Sequence, residues 1–381
     1  MKRAIYLLAA TALMAGCTQS EVLVDTPNPA PEVPRSISFD TFVDKATRAT
    51  GTNSNALNDF YSAFVVNGWK TVGEETTQVF EEIVVNYYDA EATTEDAYTP
   101  GKEWGEDVAT GWYYENIRYW DNMASAYQFS AYTPEYASNE VDCTPDGTIS
   151  IGTEDSPITV DETNLMSTPA TELAFTGFKY DYMTAQSTNN NLNEVSLNFK
   201  HLMAKLNVRI RLDESITTAQ DVSVQAFTVF NLGDKGYYTN ALDEKGKIAG
   251  VSGWTISATS AGYELQIPEA YSLNNANTNY HNHYVLEQLI IPQTVLNCEE
   301  GEDIPSLNPY NEACVYVEYT IGSETFKSYT PLANIFSNAA SYSFEGGKQY
   351  TINITVGPKP IVFTAEVTPW ETEVEGNLDM E

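Results

Sequence analysis

From Lys205 to Leu212 the chain alternates strictly, with Leu206, Val208, Ile210 and Leu212 on one side and polar residues on the other. A period of two is the signature of a β-strand with one face buried. The same alternation recurs at Ile37 and Phe39, at Val315, Val317 and Tyr319, at Ile352, Ile354 and Val356, and at Ile361, Phe363, Ala365 and Val367. No segment sustains an apolar stripe at helical spacing, so helices are expected to be few and short. Loops rich in Asn, Asp, Gly and Ser, including 181–193 and 274–282, separate the patterned segments. Asp234-Lys235-Gly236 and Glu345-Gly346-Gly347 read as tight turns. Many short strands joined in this way predict an all-β protein built from β-sandwiches.

A chain of 381 residues is longer than one core usually serves, which predicts two domains. The polar stretch from Thr184 to Asn193, whose one large apolar residue is Leu192, places the division at Ser187. The expectation is an N-terminal sandwich over 36–187 and a C-terminal sandwich over 188–381 that ends in an acidic tail. With 19 Lys and Arg against 53 Asp and Glu, the formal charge is −34. Such a surface repels phosphate backbones and anionic membranes, which excludes nucleic acid as a partner.

The N-terminus changes the picture. Lys2 and Arg3 precede an apolar run from Ala4 to Gly16 that stops at Cys17. The run is too short to span a bilayer and reads as an export signal over 1–16. Met14-Ala15-Gly16-Cys17 resembles a bacterial lipobox, in which the chain is cut before a cysteine that receives a diacylglycerol on sulfur and a further acyl chain, such as palmitate, on nitrogen. Several acyl chains anchor a protein firmly, so membrane contact is expected through the Cys17 lipid alone. Residues 17–35 contain four prolines and few large apolar side chains, and should form an extended tether. Ser20-Glu21 resembles the sorting tag that sends lipoproteins of Bacteroidetes to the outer leaflet, which implies an outer-membrane, cell-surface location. Beyond Cys17 there are Cys143, Cys298 and Cys314, an odd number that cannot form a disulfide framework. Cys298 and Cys314 bracket a polar loop and could bridge, but closeness in sequence leaves that pairing open.

Several stretches, in order, match one family: Ile37-Ser-Phe-Asp40 with Lys45-Ala-Thr-Arg-Ala49; Trp112-Tyr-Tyr114 with Tyr119-Trp120; Tyr127-Gln-Phe-Ser-Ala-Tyr132; Leu197-Asn-Phe-Lys-His-Leu202 with Ala204-Lys-Leu206; Phe344-Glu-Gly-Gly-Lys348 with Tyr350-Thr-Ile352; and Val367 with Trp370. On these residues the chain resembles the fimbrillins, the Mfa-like type V pilin subunits and related lipoproteins of Bacteroidetes. The resemblance implies two tandem transthyretin-like β-sandwich domains, no enzymatic activity and no cofactor. It also implies a structural or adhesive subunit of a fimbrium, assembled with other fimbrial subunits by donor-strand complementation. An arginine-specific protease would remove the first strand, here Ser36–Val43 with Ile37, Phe39, Thr41 and Val43 inward, by cutting at Arg48. A cut at Arg35 would leave that strand attached. A sandwich missing a strand exposes unpaired backbone groups and empty pockets that a strand from another subunit fills. The tail from Ile361 onward, with Ile361, Phe363, Ala365 and Val367, is the candidate donor. Beyond Trp370 only Val374, Leu378 and Met380 are apolar, a poor match to a full row of pockets, which argues against a long-stalk place and leaves accessory, tip and anchor places open.

Other chemistry finds little support. His281-Asn-His283 could form a metal pair on one strand face, but its Asn-rich setting reads as a solvated loop. His201 lies inside the fimbrillin-like motif and reads as structural. Paired acids are too abundant to carry information, and no nucleophile elbow, metalloprotease helix or phosphate loop is present. Loops such as 142–146 and 155–161 lack a calcium-binding spacing, so no metal site is expected. Trp112, Tyr113, Tyr114, Tyr119 and Trp120 crowd into nine positions. Exposed, Trp112, Tyr114 and Trp120 could stack on sugar rings, which gives the alternative of a monomeric surface lipoprotein that binds a glycan; buried, they belong to the core.

Overall fold

Each alternating segment forms a strand. In Ala204–Leu212, residues Leu206, Val208, Ile210 and Leu212 are all buried, as are Val315, Val317 and Tyr319 in Glu312–Ile321 and Ile352, Ile354 and Val356 in Lys348–Val356. The computed structural model describes residues 35–43, 57–93, 97–105, 107–159, 178, 180–189, 193–216, 222–242, 244–257, 263–266, 271–273, 286–298, 312–337, 339–357 and 361–370. Among them the helices are one α-helix, Leu332–Phe336, and three short 3-10 turns. The fold is all-β, of the sandwich class.

Four sheets make up the described part. The first has seven strands in the order Phe39–Val43, Val195–His201, Met183–Asn189, Ala126–Thr133, Ala63–Val72, Glu75–Tyr88 and Gly111–Tyr113. The second has four, Leu286–Ile290, Ala204–Leu212, Lys348–Val356 and Val362–Pro369, with its two central strands parallel. The third is built around the antiparallel pair Val222–Leu232 and Glu312–Ile321, and the fourth around Lys235–Thr239. Ser36–Glu381 is one compact unit with two large apolar clusters. One gathers the inner face of the first sheet, from Ile37 to Phe199. The other runs from Leu202 to Trp370 and also takes in Val65, Tyr132 and a set of residues between Ala137 and Tyr182.

Three features correct the expectations. The stretch 181–193, expected to be a loop, contains the strand Met183–Asn189, which pairs with Ala126–Thr133 along its whole length and with Val195–His201 at its start. Continuous pairing with one strand and pairing with a second at its start outweigh the low intrinsic β-preference of the Asn and Gln side chains. The division expected at Ser187 therefore falls inside a strand, and the last changeover in sequence between the two apolar clusters lies between Phe199 and Leu202. The tight turn expected at 234–236 is instead a two-residue link, Gly233 and Asp234, between strands of different sheets, since Lys235 already begins a strand. The turn at Glu345–Gly347 is present, and Gly347 sits at φ +71°, where a side chain would be strained.

The open question of the cysteines is also resolved: Cys298 and Cys314 form a disulfide, with Cα atoms 5.9 Å apart. Cys143 is a partly buried free thiol, and burial pushes its pKa up to about 12. The thiolate is the reactive form. At pH 8 the native chain should therefore react with iodoacetamide at Cys143 at least about tenfold more slowly than the unfolded chain, as read by mass spectrometry of the labelled peptide.

Candidate functional site

Phe39–Val43 lies at the edge of the first sheet, parallel to Val195–His201, with Phe39 opposite Val195 and Val43 opposite Phe199. Just before it the chain switches partner. Ser36 bridges Tyr119, the Ile37 N–H donates to the Arg118 carbonyl at 2.8 Å, and the Val195 N–H donates to the Ser38 carbonyl at 2.8 Å. Period-two geometry then sends Ile37, Phe39, Thr41 and Val43 inward, and all four are buried. Phe42, on the other side, is 36% exposed.

Phe39 is the centre of this arrangement. Its ring meets Phe64, Phe80, Tyr114 and Phe129 edge-on, with centroids 5.5 to 6.0 Å away. The approach of Phe80 and Phe129 depends on Gly68, where a Cβ would come within 3.0 Å of both rings. The Tyr114 hydroxyl donates to the Ile37 carbonyl at 2.8 Å and accepts the Arg118 N–H at 3.2 Å. Burial raises the Tyr114 pKa to about 12, so the hydroxyl stays protonated and remains a donor. The segment that caps the start of the strand is held at its far end by the ion pair of Lys70 with Asp121, 2.6 Å long, which keeps the Asp121 carboxyl below its usual range. Burying an Ile, Phe or Val side chain contributes about 1.5–3 kcal/mol each, so the strand is held mainly by its side chains and by one hydrogen-bonded neighbour along its length. Without it, the edge of Val195–Phe199 and a slot lined by aromatic rings would be open.

Trp112, Tyr114 and Trp120 do not form a platform for sugars. They are 8%, 1% and 7% exposed and belong to the same apolar cluster as Phe39. Trp112 packs on Phe64 and Tyr87, with centroids 5.0 and 5.1 Å away, and Trp120 on Tyr127 at 4.7 Å. Their faces are covered because the strand Gly111–Tyr113 and the segment that follows it close the same slot. Sequence reasoning missed Phe64, Phe80 and Phe129 as its lining. Only the alternation of Tyr127, Phe129 and Ala131 signalled part of it.

The candidate donor is itself an edge strand. Val362–Pro369 pairs along its length with Lys348–Val356; Ile361, Phe363 and Ala365 are half-buried, and Val367 is 43% exposed. Its end is fastened by Trp370, whose backbone N–H donates to the Gly347 carbonyl at 3.0 Å and whose ring stacks on His201 at 4.4 Å and 10°. His201 is buried at the changeover between the two clusters, with Nδ1 2.7 Å from an Asp181 carboxylate oxygen. To donate, this strand would have to leave the partner it already has. Cys17, Arg48, His281, His283 and residues 371–381 lie outside the described residues.

A family model described as fimbrillin-like matches residues 47–370. Among solved structures, a fimbrial protein from Bacteroides vulgatus is 14% identical, with 88% of this chain and 100% of that chain covered at a TM-score of 0.46. The tip fimbrial protein Mfa3 from Porphyromonas gingivalis, truncated at its C-terminus, is 11% identical, with 81% and 94% covered at a TM-score of 0.36. No curated protein sequence matches. With most of its length matched by the family model, from beyond the first strand to the last fastening tryptophan, the chain belongs to the fimbrillin-like family.

Proposed function

We propose that this chain is a subunit of a surface fimbrium, exported as a lipoprotein through Cys17 and assembled by exchange of its first strand. Family membership supports the fimbrial role. The observation that carries the strand exchange is Phe39–Val43 itself: an edge strand at the start of the fold, with buried side chains and one paired neighbour along its length. Arg48 follows it by five residues in sequence. A cut there by an arginine-specific protease would release lipid, tether and first strand together and leave a slot for a strand from another subunit. The lipid is then a delivery handle that holds the precursor at the outer membrane, and adhesion is the task of the assembled filament. The alternative of a glycan-binding monomer loses the rings on which it was based, since Trp112, Tyr114 and Trp120 are buried.

Treatment of cells that display the full chain with an arginine-specific protease should yield a mature N-terminus at Ala49 and ladders of subunits that survive mild denaturation. Arg48→Ala should leave a lipidated monomer in the outer-membrane fraction. Filaments whose subunits retain Ile37 would rule out this route.

A further inference from the structure

A cavity of about 720 Å³ opens on the fourth sheet, and among the described residues it shares none with the aromatic slot of the first sheet. Its floor is the pair Val141–Cys143 and Ile149–Ile151, with Asp142 opposite Ser150. Val141, Ile149 and Ile151 are buried in the core, so alternation turns Glu140, Asp142 and Ser150 to the other side, where both acids are exposed. The Gly152 N–H donates to the Glu140 carbonyl at 2.8 Å and carries the ladder one step further. Gly152 then sits at φ +64°, where a Cβ would stand 3.0 Å from the Ile158 nitrogen and 3.1 Å from the Ser156 carbonyl oxygen, so the chain turns here on a glycine. Within the turn the Thr153 N–H donates to the Ser156 carbonyl at 2.9 Å and the Ser156 N–H to the Thr153 hydroxyl at 3.0 Å, which fixes two hydroxyl side chains at the rim.

Another wall is aromatic. Phe178 and Tyr182 are buried and anchor it in the core, and Tyr180, between them in sequence, is half-buried. The Tyr180 ring meets Tyr182 edge-on at 5.7 Å and Tyr136 at 4.9 Å, and Tyr136 is 57% exposed. Rings therefore follow one another from the buried Trp254, 6.4 Å from Tyr182, out to solvent. The Tyr182 hydroxyl donates to the Glu140 carboxylate and so joins the aromatic wall to the acidic one. Burial, with that carboxylate beside it, holds the Tyr182 pKa above its ordinary value, so the hydroxyl stays a donor.

We propose that this cavity binds a neutral glycan, with Asp142 and Glu140 accepting hydrogen bonds from neighbouring sugar hydroxyls and Tyr180 packed against a sugar face. The lining selects that class. Among the described lining residues none is a lysine or arginine, and two carboxylates on a chain of formal charge −34 repel acidic ligands. An apolar ligand asks for walls that are mostly apolar, whereas here carboxylates and the hydroxyls of Ser150, Thr153 and Ser156 share the lining with rings. Ionised carboxylates only accept and hydroxyls both donate and accept, which together match the hydroxyl groups of a sugar; the rings offer apolar area to its C–H face. All of these residues belong to one chain, so binding requires neither strand exchange nor a filament.

The test is titration of the full, uncut chain with neutral oligosaccharides of galactose, mannose and N-acetylglucosamine, with their sialylated and sulfated counterparts, and with oligolysine. At least one neutral glycan should bind at least about tenfold more tightly than its sialylated counterpart, because like charges would meet at the rim. Its affinity should change less than about twofold between about 0.02 and 0.5 M salt, since screening acts on charged partners. Asp142→Ala, at an exposed position, should keep the melting temperature of the parent and weaken binding at least about tenfold, the loss of a hydrogen bond to a charged group. Tyr180→Ala should weaken it likewise; because Tyr180 also packs on the core, Asp142→Ala alone decides the case if that variant unfolds. Failure of every neutral glycan to bind, or binding that Asp142→Ala leaves unchanged, would overturn the proposal. So would binding of oligolysine alone that is lost at high salt, since the occupant would then be a basic peptide.

Discussion

Replacing Phe39 by alanine should lower the unfolding free energy of the uncut chain by about 3–5 kcal/mol. The ring sits against four others, and the surrounding strands cannot collapse into the space because each is fixed by its own hydrogen bonds. A cavity would remain, and the loss of ring contacts adds to the lost transfer free energy. A domain's whole stability is about 5–15 kcal/mol, so the change should be visible as a large drop in the urea midpoint. Phe42→Ala on the same strand provides the control, because Phe42 is partly exposed on the outer side and should cost less than about 1 kcal/mol. The pair also reports on function. In subunits cut after Arg48 the strand is gone, and Phe39→Ala should then leave the stability of assembled protein unchanged. An equal loss in cut and uncut protein would mean that the strand stays in place.

The second large effect concerns the disulfide. Cys298 and Cys314 are 16 positions apart, and closing a loop of that size restricts the unfolded chain by about 3 kcal/mol. Cys314 lies in a central strand of the third sheet and Cys298 just beyond the end of its neighbour, so the bridge staples two strands that already pair. Tyr329 packs with both cysteines in a small separate cluster, with Phe230 and Tyr316 against it, which shields the sulfurs. The double variant Cys298→Ser, Cys314→Ser should therefore melt several degrees lower than the parent. Reductant should bring the parent down to the melting temperature of the variant and leave the variant where it is. A variant as stable as the parent would show that the strands hold this region without the bridge.

Much of the slot is legible in the sequence alone. Ile37, Phe39, Thr41 and Val43 share a face because side chains alternate along any strand, a rule that needs only the local sequence. The same rule places Leu206 through Leu212 and Ile352 through Val356 in the core. The lining is not legible. Phe39 meets Phe64, Phe80, Tyr114 and Phe129 because Phe39–Val43 pairs with residues more than 150 positions away, and nothing in either segment names the other. The aromatic cluster at 112–120 shows the same limit. Its composition fits a sugar platform and a core equally well, and only the covering of its faces by neighbouring strands decides between them.

Met183–Asn189 is the opposite case. Its residues look like a linker, yet Ala126–Thr133 pairs with it along its whole length and Val195–His201 at its start, and it becomes an inner strand of the first sheet. By itself the sequence determined the class of fold, the inward face of each patterned strand, the charge that repels nucleic acid and the family resemblance. The tertiary structure alone decided which strand lies beside which, where the two apolar clusters change over, that Cys298 meets Cys314, and that the rings of Trp112, Tyr114 and Trp120 close a slot. The reason is physical: alternation is written into each short segment, whereas burial of a particular ring depends on partners that the fold brings from far along the chain.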